Sequence, residues 1–127
     1  KGGLGALRLA KAAKKSLEQA MALNPQALDG SAYTSLGTLY AKVPGWPVGF
    51  GDDRKAESLL LKALQINPNG IDPNYFYGEF LRDQGDAAKA RLYLMRARKA
   101  APRPGRELAD QGRQSEITAA LRALDGH

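Results

Sequence analysis

The chain has no cysteine, and its single histidine is the last residue, His127. The first absence excludes disulfides, cysteine-based metal sites and a thiol nucleophile. The second leaves almost nothing from which to build a Ser-His-Asp triad or a histidine zinc site. No apolar run approaches the roughly 20 residues of a membrane span. No alternating run rich in Val, Ile and Thr suggests a strand. The chain opens at Lys1 without Met, a start compatible with a removed upstream segment that carried a signal or a lipid anchor. An enzyme built on the remaining carboxylates and lysines is not expected, nor is a cofactor or a metal site.

Over the 127 residues, hydrophobic side chains make up 43% and charged ones 25%, the balance of one folded domain with one core. The net charge of +6 is concentrated in residues 8–15 and 89–106. In the second stretch Lys89 and Arg96 flank one side of an apolar stripe, and Arg91 and Arg98 flank the other. That is the layout of a solvated helix border. No known reader motif accompanies it, so the solvated border is favoured over a nucleic-acid groove and no nucleic-acid partner is expected.

One spacing can be read twice. Tyr33, Leu36, Gly37 and Tyr40 are followed, after a detour, by Ala56, Leu60, Ala63 and Pro68; Tyr77, Gly78, Leu81 and Gly85 are followed by Ala90, Leu94, Ala97 and Pro102. Large apolar residues at helical spacing, small ones where paired helices must meet and a terminal proline are the marks of a helix–turn–helix repeat. The type is that of the tetratricopeptide repeat. The periodicity predicts helices over 5–23, 31–42, 54–67, 72–84, 87–100 and 106–124. Within the first, Ala13, Leu17, Ala20 and Pro25 have the offsets of a repeat's second helix, with Ala13 and Ala20 small for a close helix approach. Asp29 or Ser31 is expected to cap the second helix, Asp52 and Asp53 the third, and Asp72 the fourth. Gly112 marks a kink in the last helix, whose apolar positions are Leu108, Ile117, Leu121 and Leu124.

The expected fold is therefore all-α, a right-handed superhelix of antiparallel helix pairs with a C-terminal capping helix. One domain covers 1–127. It comprises a partial repeat over 5–25, a repeat with an inserted loop over 31–68, a repeat over 71–102 and the capping helix over 106–124.

The detour, residues 43–53, inserts about seven residues beyond the usual repeat period. It reads Val-Pro-Gly-Trp-Pro-Val-Gly-Phe-Gly-Asp-Asp and holds Trp46, the only tryptophan. Two readings are open. Trp46 and Phe50 form the lip of a binding surface, or they fold back over the helix ends as a plug.

This run, with the following KAESLLLKALQINPNGIDPNYFYGEFL, resembles a bacterial family of exported tetratricopeptide proteins similar to the T component (TatT) of TRAP transporters, which are periplasmic solute-uptake systems. The resemblance covers most of residues 13–124. It implies an all-helical protein, periplasmic or attached to the cell envelope, that binds a partner or a solute along a helical groove; the alternative compartment is the cytoplasm.

First helices of such repeats supply the concave wall. That maps Thr34, Thr38 and Lys42, and Tyr75, Glu79 and Arg82, to a partner-binding groove, with Trp46 and Phe50 at its edge. Tyr75 is the exception in an aromatic stretch that otherwise reads as core, and Glu79 and Arg82 are spaced to pair with each other. The expected function is a non-catalytic scaffold for another protein or a peptide. The alternative is a solute-binding accessory of a TRAP-type transport system, which asks for an enclosed pocket beside the loop. A homo-oligomer is a further expectation, through an apolar face left uncovered at the start of the chain.

Overall fold

A computed structural model describes residues 3–26 and 30–126. Among these, the regular structure is entirely helical: α1 (Gly3–Leu23), α2 (Ser31–Lys42), α3 (Asp53–Ile66), α4 (Ile71–Asp83), α5 (Ala87–Lys99) and α6 (Glu107–Asp125). The chain divides into two compact units, one ending at Ile66 and the other beginning at Asn67.

In the first unit α2 packs against α1 and α3. Leu36 and Tyr40 of α2 are buried, as are Ala56, Leu60, Ala63 and Leu64 of α3. Each large side chain contributes roughly 1.5–3 kcal/mol before conformational entropy is set against it. Gly37 is where the two helices touch: a Cβ there would lie 2.8 Å from Leu60 Cγ and 3.1 Å from the Ala56 carbonyl oxygen. The Asp52 carboxylate accepts from the Lys55 amide at 3.1 Å, so Asp52 caps α3. The start of α2 departs from expectation. Gly30 stands at its N-cap with φ 81°, and no side chain caps it. Asp29 lies outside the described residues.

The second unit repeats this contact. α4 packs on α5, and a Cβ on Gly78 would lie 2.9 Å from Leu94 Cγ. Ala90, Leu94 and Ala97 are fully buried. Asp86 caps α5 by accepting from the Lys89 amide at 3.2 Å. α6 packs on α5 and also on α4. One core joins all three, through Ile71 and Tyr75 of α4, Leu94 and Ala97 of α5, and Ile117, Ala120 and Leu121 of α6.

Four local expectations are corrected. Asp72 does not cap α4, whose N-cap is Gly70 without a side-chain bond. The turn before α4 is held instead by Asn74, whose amide nitrogen donates to the carbonyls of Pro68 (3.0 Å) and Gly70 (2.8 Å). Asp72 is drawn away by Arg103 and Arg113, both beyond α5. Gly112 produces no break, and α6 is one helix through it. Leu108 is not core but 84% exposed. On α1, Ala13 and Ala20 are exposed, because the side facing the rest of the unit carries Leu7, Ala10, Lys14, Leu17 and Met21, all partly buried.

Candidate partner-binding surface

The inserted loop is closed by its own backbone. Beyond α2, Val43 is extended (φ −74°, ψ 140°). The Gly51 amide donates to the Pro44 carbonyl at 2.9 Å, the Asp52 amide to the Tyr40 carbonyl at 2.9 Å, and the amides of Val48 and Gly49 both to the Gly45 carbonyl at 3.1 Å. The two ends pass so closely that a Cβ on Gly51 would overlap the Val43 carbonyl. The Trp46–Pro47 peptide is cis.

The two aromatics of the loop part company. Phe50 folds back edge-to-face on Tyr40, with centroids 5.4 Å apart and planes at 77°. The Lys14 ammonium lies 5.7 Å from the Phe50 centroid, and it pairs with Glu18 at 3.2 Å. That hydrogen bond to Glu18 raises the Lys14 pKa against a smaller desolvation cost. Lys55 covers the Tyr40 ring at 5.2 Å. Phe50 is thus a plug over the end of α2. Trp46 projects: it is 90% exposed, and Val48 beside it is 66% exposed. A large apolar ring is thus held in water on a pinned loop.

The six wall positions divide between the units. On α2, Lys42 is exposed and Thr38 partly buried, its hydroxyl donating to the Thr34 carbonyl at 2.8 Å. On α4, Arg82 forks onto Glu79, Nη2 to Oε1 at 2.8 Å and Nε to Oε2 at 3.1 Å. The pair is partly buried, and the bond to Glu79 holds the Arg82 pKa above its ordinary value.

Two of the six do not present the open faces expected of them. Thr34 is only 5% exposed. Tyr75 is 8% exposed and belongs to the second unit's core. The reason at Tyr75 is α6, which sets the Arg113 guanidinium 5.1 Å from the ring centroid. Burial, followed by the charge of Glu79, raises the Tyr75 pKa.

An ionic cluster at the α4–α6 contact carried no signal in the sequence. Arg113 Nε donates to Asp72 at 2.9 Å, and its Nη1 pairs with Glu116 at 2.6 Å. The same guanidinium lies over the Phe76 ring at 4.7 Å. Burial opposes its charge, but Asp72 and Glu116 outweigh burial and raise its pKa. Arg103, in the connection before α6, grips Asp110 through its backbone amide (2.7 Å) and its Nε (2.8 Å). The guanidinium and amide bonds from Arg103 hold the Asp110 carboxyl below its ordinary range. These pairs fasten α6 down.

A cavity of about 590 Å³ opens beside them, lined among others by Ile71, Pro102, Gln111, Gln114 and Ser115. A second, of about 340 Å³, is lined by Asn74, Arg96 and Lys99 with neighbouring residues of the second unit. Among the described residues, no three His, Cys, Asp or Glu side chains converge as metal ligands would.

Comparison with known proteins returns no matching family model, no matching curated protein and no matching solved structure. No described helix is long and apolar enough to cross a membrane.

Proposed function

We propose that this chain is a non-catalytic tetratricopeptide-type scaffold, a right-handed superhelix that binds another protein or a peptide. The repeat reading is supported by the equivalence of Gly37 under Leu60 with Gly78 under Leu94. The binding reading is carried by Trp46, which stands 90% exposed on a loop whose backbone is tied at four points. A partner that takes this ring into an apolar pocket gains the burial that the chain itself leaves unused. Repeats of this type use their first helices as a concave wall. On that pattern Thr38 and Lys42 of α2 supply polar contacts in the first unit, and Glu79 and Arg82 of α4 supply them in the second. By the resemblance to exported proteins, the setting is the periplasm or the cell envelope.

A solute-binding accessory of TRAP-type transport is the second reading, and it needs a pocket beside the loop. The two cavities described above are lined by residues of the second unit, none of them from the loop. The test is capture from an envelope extract followed by native mass spectrometry, comparing the wild-type chain with Trp46→Ala and Lys42→Glu. The expected result is a protein partner retained by the wild type and lost at least about tenfold by Trp46→Ala, the scale of a hot-spot residue. Equal retention by both variants removes the assigned surface. A small bound mass without a protein partner favours the solute reading.

A further inference from the structure

The sequence holds four asparagines, and one of them stands where its own backbone can attack it. Asn24 and Asn67 each precede a proline, which has no N–H to lose. Asn74 lies inside α4 and is 1% exposed. Asn69 is exposed, lies in the turn that leads into α4, and precedes Gly70. The turn itself demands that glycine, because a Cβ at position 70 would lie 2.3 Å from Asn67 Nδ2. A residue without a side chain leaves the approach to its amide nitrogen open. The Gly70 amide donates to the Asn67 carbonyl at 3.3 Å, longer than an ordinary N–H···O bond, so little holds it back.

We propose that Asn69 is a spontaneous deamidation site whose isoaspartyl product releases the turn that starts α4. The Gly70 amide nitrogen gives up its proton and bonds to Asn69 Cγ. The Cγ–Nδ2 bond breaks, the nitrogen leaves as ammonia, and a five-membered succinimide remains. Water then opens the ring at one of its two carbonyls. Opening at Cγ leaves an aspartate at position 69. Opening at the main-chain carbonyl leaves an isoaspartate, whose backbone runs through Cβ and Cγ and is one methylene longer. Either way one water is consumed and one ammonia released, and nothing is oxidised or reduced.

The two products differ in what they do to the fold. The side-chain nitrogen of Asn74 spans position 69, donating to the Pro68 carbonyl on one side at 3.0 Å and to the Gly70 carbonyl on the other at 2.8 Å. An extra methylene between those carbonyls separates them, and a single nitrogen no longer reaches both. The lost bond is a buried one, and Asn74 Oδ1 already has no partner among the described residues. A second unsatisfied group on one buried amide destabilises the start of α4. The aspartate keeps the backbone length. Its carboxylate borders the cavity that Asn69 shares with Arg96 and Lys99, where two cations offset the new charge.

The full chain, aged for several weeks at physiological pH and temperature and then digested with trypsin, tests this directly. The peptide from Ala63 to Arg82 is sequenced by mass spectrometry. The expected result is a gain of one mass unit at Asn69 in most chains, faster as pH rises because the attacking nitrogen must be deprotonated. A protease that cuts before aspartate but not before isoaspartate separates the two products. Aged wild type is expected to melt at least about 3 °C below fresh protein, whereas fresh Asn69→Asp and aged Asn69→Gln melt with it. A peptide unchanged in mass overturns the proposal, as does a gain at Asn67 or Asn74 instead. So does a product that is all aspartate, or isoaspartate-bearing protein that melts with the fresh chain.

Discussion

Arg113 of α6 reaches back across 41 residues to Asp72 of α4, its Nε donating to Oδ1 at 2.9 Å. The bond anchors a guanidinium that also lies 4.7 Å from the Phe76 centroid and 5.1 Å from that of Tyr75. Charge, planarity and ring contact all act at one point. Arg113→Ala should therefore cost about 1–3 kcal/mol, between an exposed and a fully buried pair. Arg113→Lys should recover less than half of that loss, because an ammonium cannot hold Asp72 and lie flat on the rings together. Urea denaturation followed by circular dichroism measures both. A loss no greater than about 0.5 kcal/mol in Arg113→Ala would count against an anchoring role.

Acid should loosen a second ion pair, that of Arg103 with Asp110. The bonds from Arg103 hold the Asp110 carboxyl below its ordinary value of 3.8. A carboxylate depressed in the folded state contributes stability that is fully present above the unfolded value. The contribution is lost as pH falls through the lower, folded value. Asp110→Asn is thus expected to melt lower than wild type at neutral pH, and to lose less further stability from about pH 5 to about pH 2. Melting temperatures across that range decide it. Parallel curves for the two proteins would separate Asp110 from the acid response.

Three glycines make a matched set. Gly37→Ala and Gly78→Ala each place a methyl within 3 Å of a buried leucine. Overpacking of about 1–3 kcal/mol should outweigh the helix-propensity gain of up to about 1 kcal/mol. Gly112 sits inside α6, and a Cβ there would meet nothing within 4 Å. Gly112→Ala should stabilise by about 0.5–1 kcal/mol. Denaturant midpoints check the opposite signs, and a stabilising Gly78→Ala would contradict the close α4–α5 contact.

The loop aromatics should respond oppositely to truncation. Trp46→Ala is expected to leave stability within about 0.5 kcal/mol of wild type, since the ring touches little. Phe50→Ala should cost about 1–2 kcal/mol through lost burial and the lost edge-to-face contact with Tyr40. As the only tryptophan, Trp46 reports on the loop by itself. Its fluorescence should be quenched by acrylamide almost as freely as that of a free tryptophan derivative, and protected when a partner binds. Strong protection in the isolated chain would mean the ring is covered.

Apolar periodicity and its punctuation determine, by themselves, that the chain is helical and where the helices lie. Tyr33, Leu36 and Tyr40 mark residues 31–42 as a helix, and α2 occupies that span. The same pattern marks Gly37 and Gly78 as the places where paired helices touch. Such signals are local, because a helix repeats every 3.6 residues and its ends need particular residue types. Which face each helix turns to its neighbours was decided only by the tertiary structure. Tyr75 is open on α4 alone and closed once α6 lies over it; Asp72 has the place of a cap, but Arg113 claims its carboxylate. Trp46 and Phe50, four residues apart in one loop, end respectively in water and against Tyr40. Burial and ion pairing join residues far apart along the chain, so no local spacing records them.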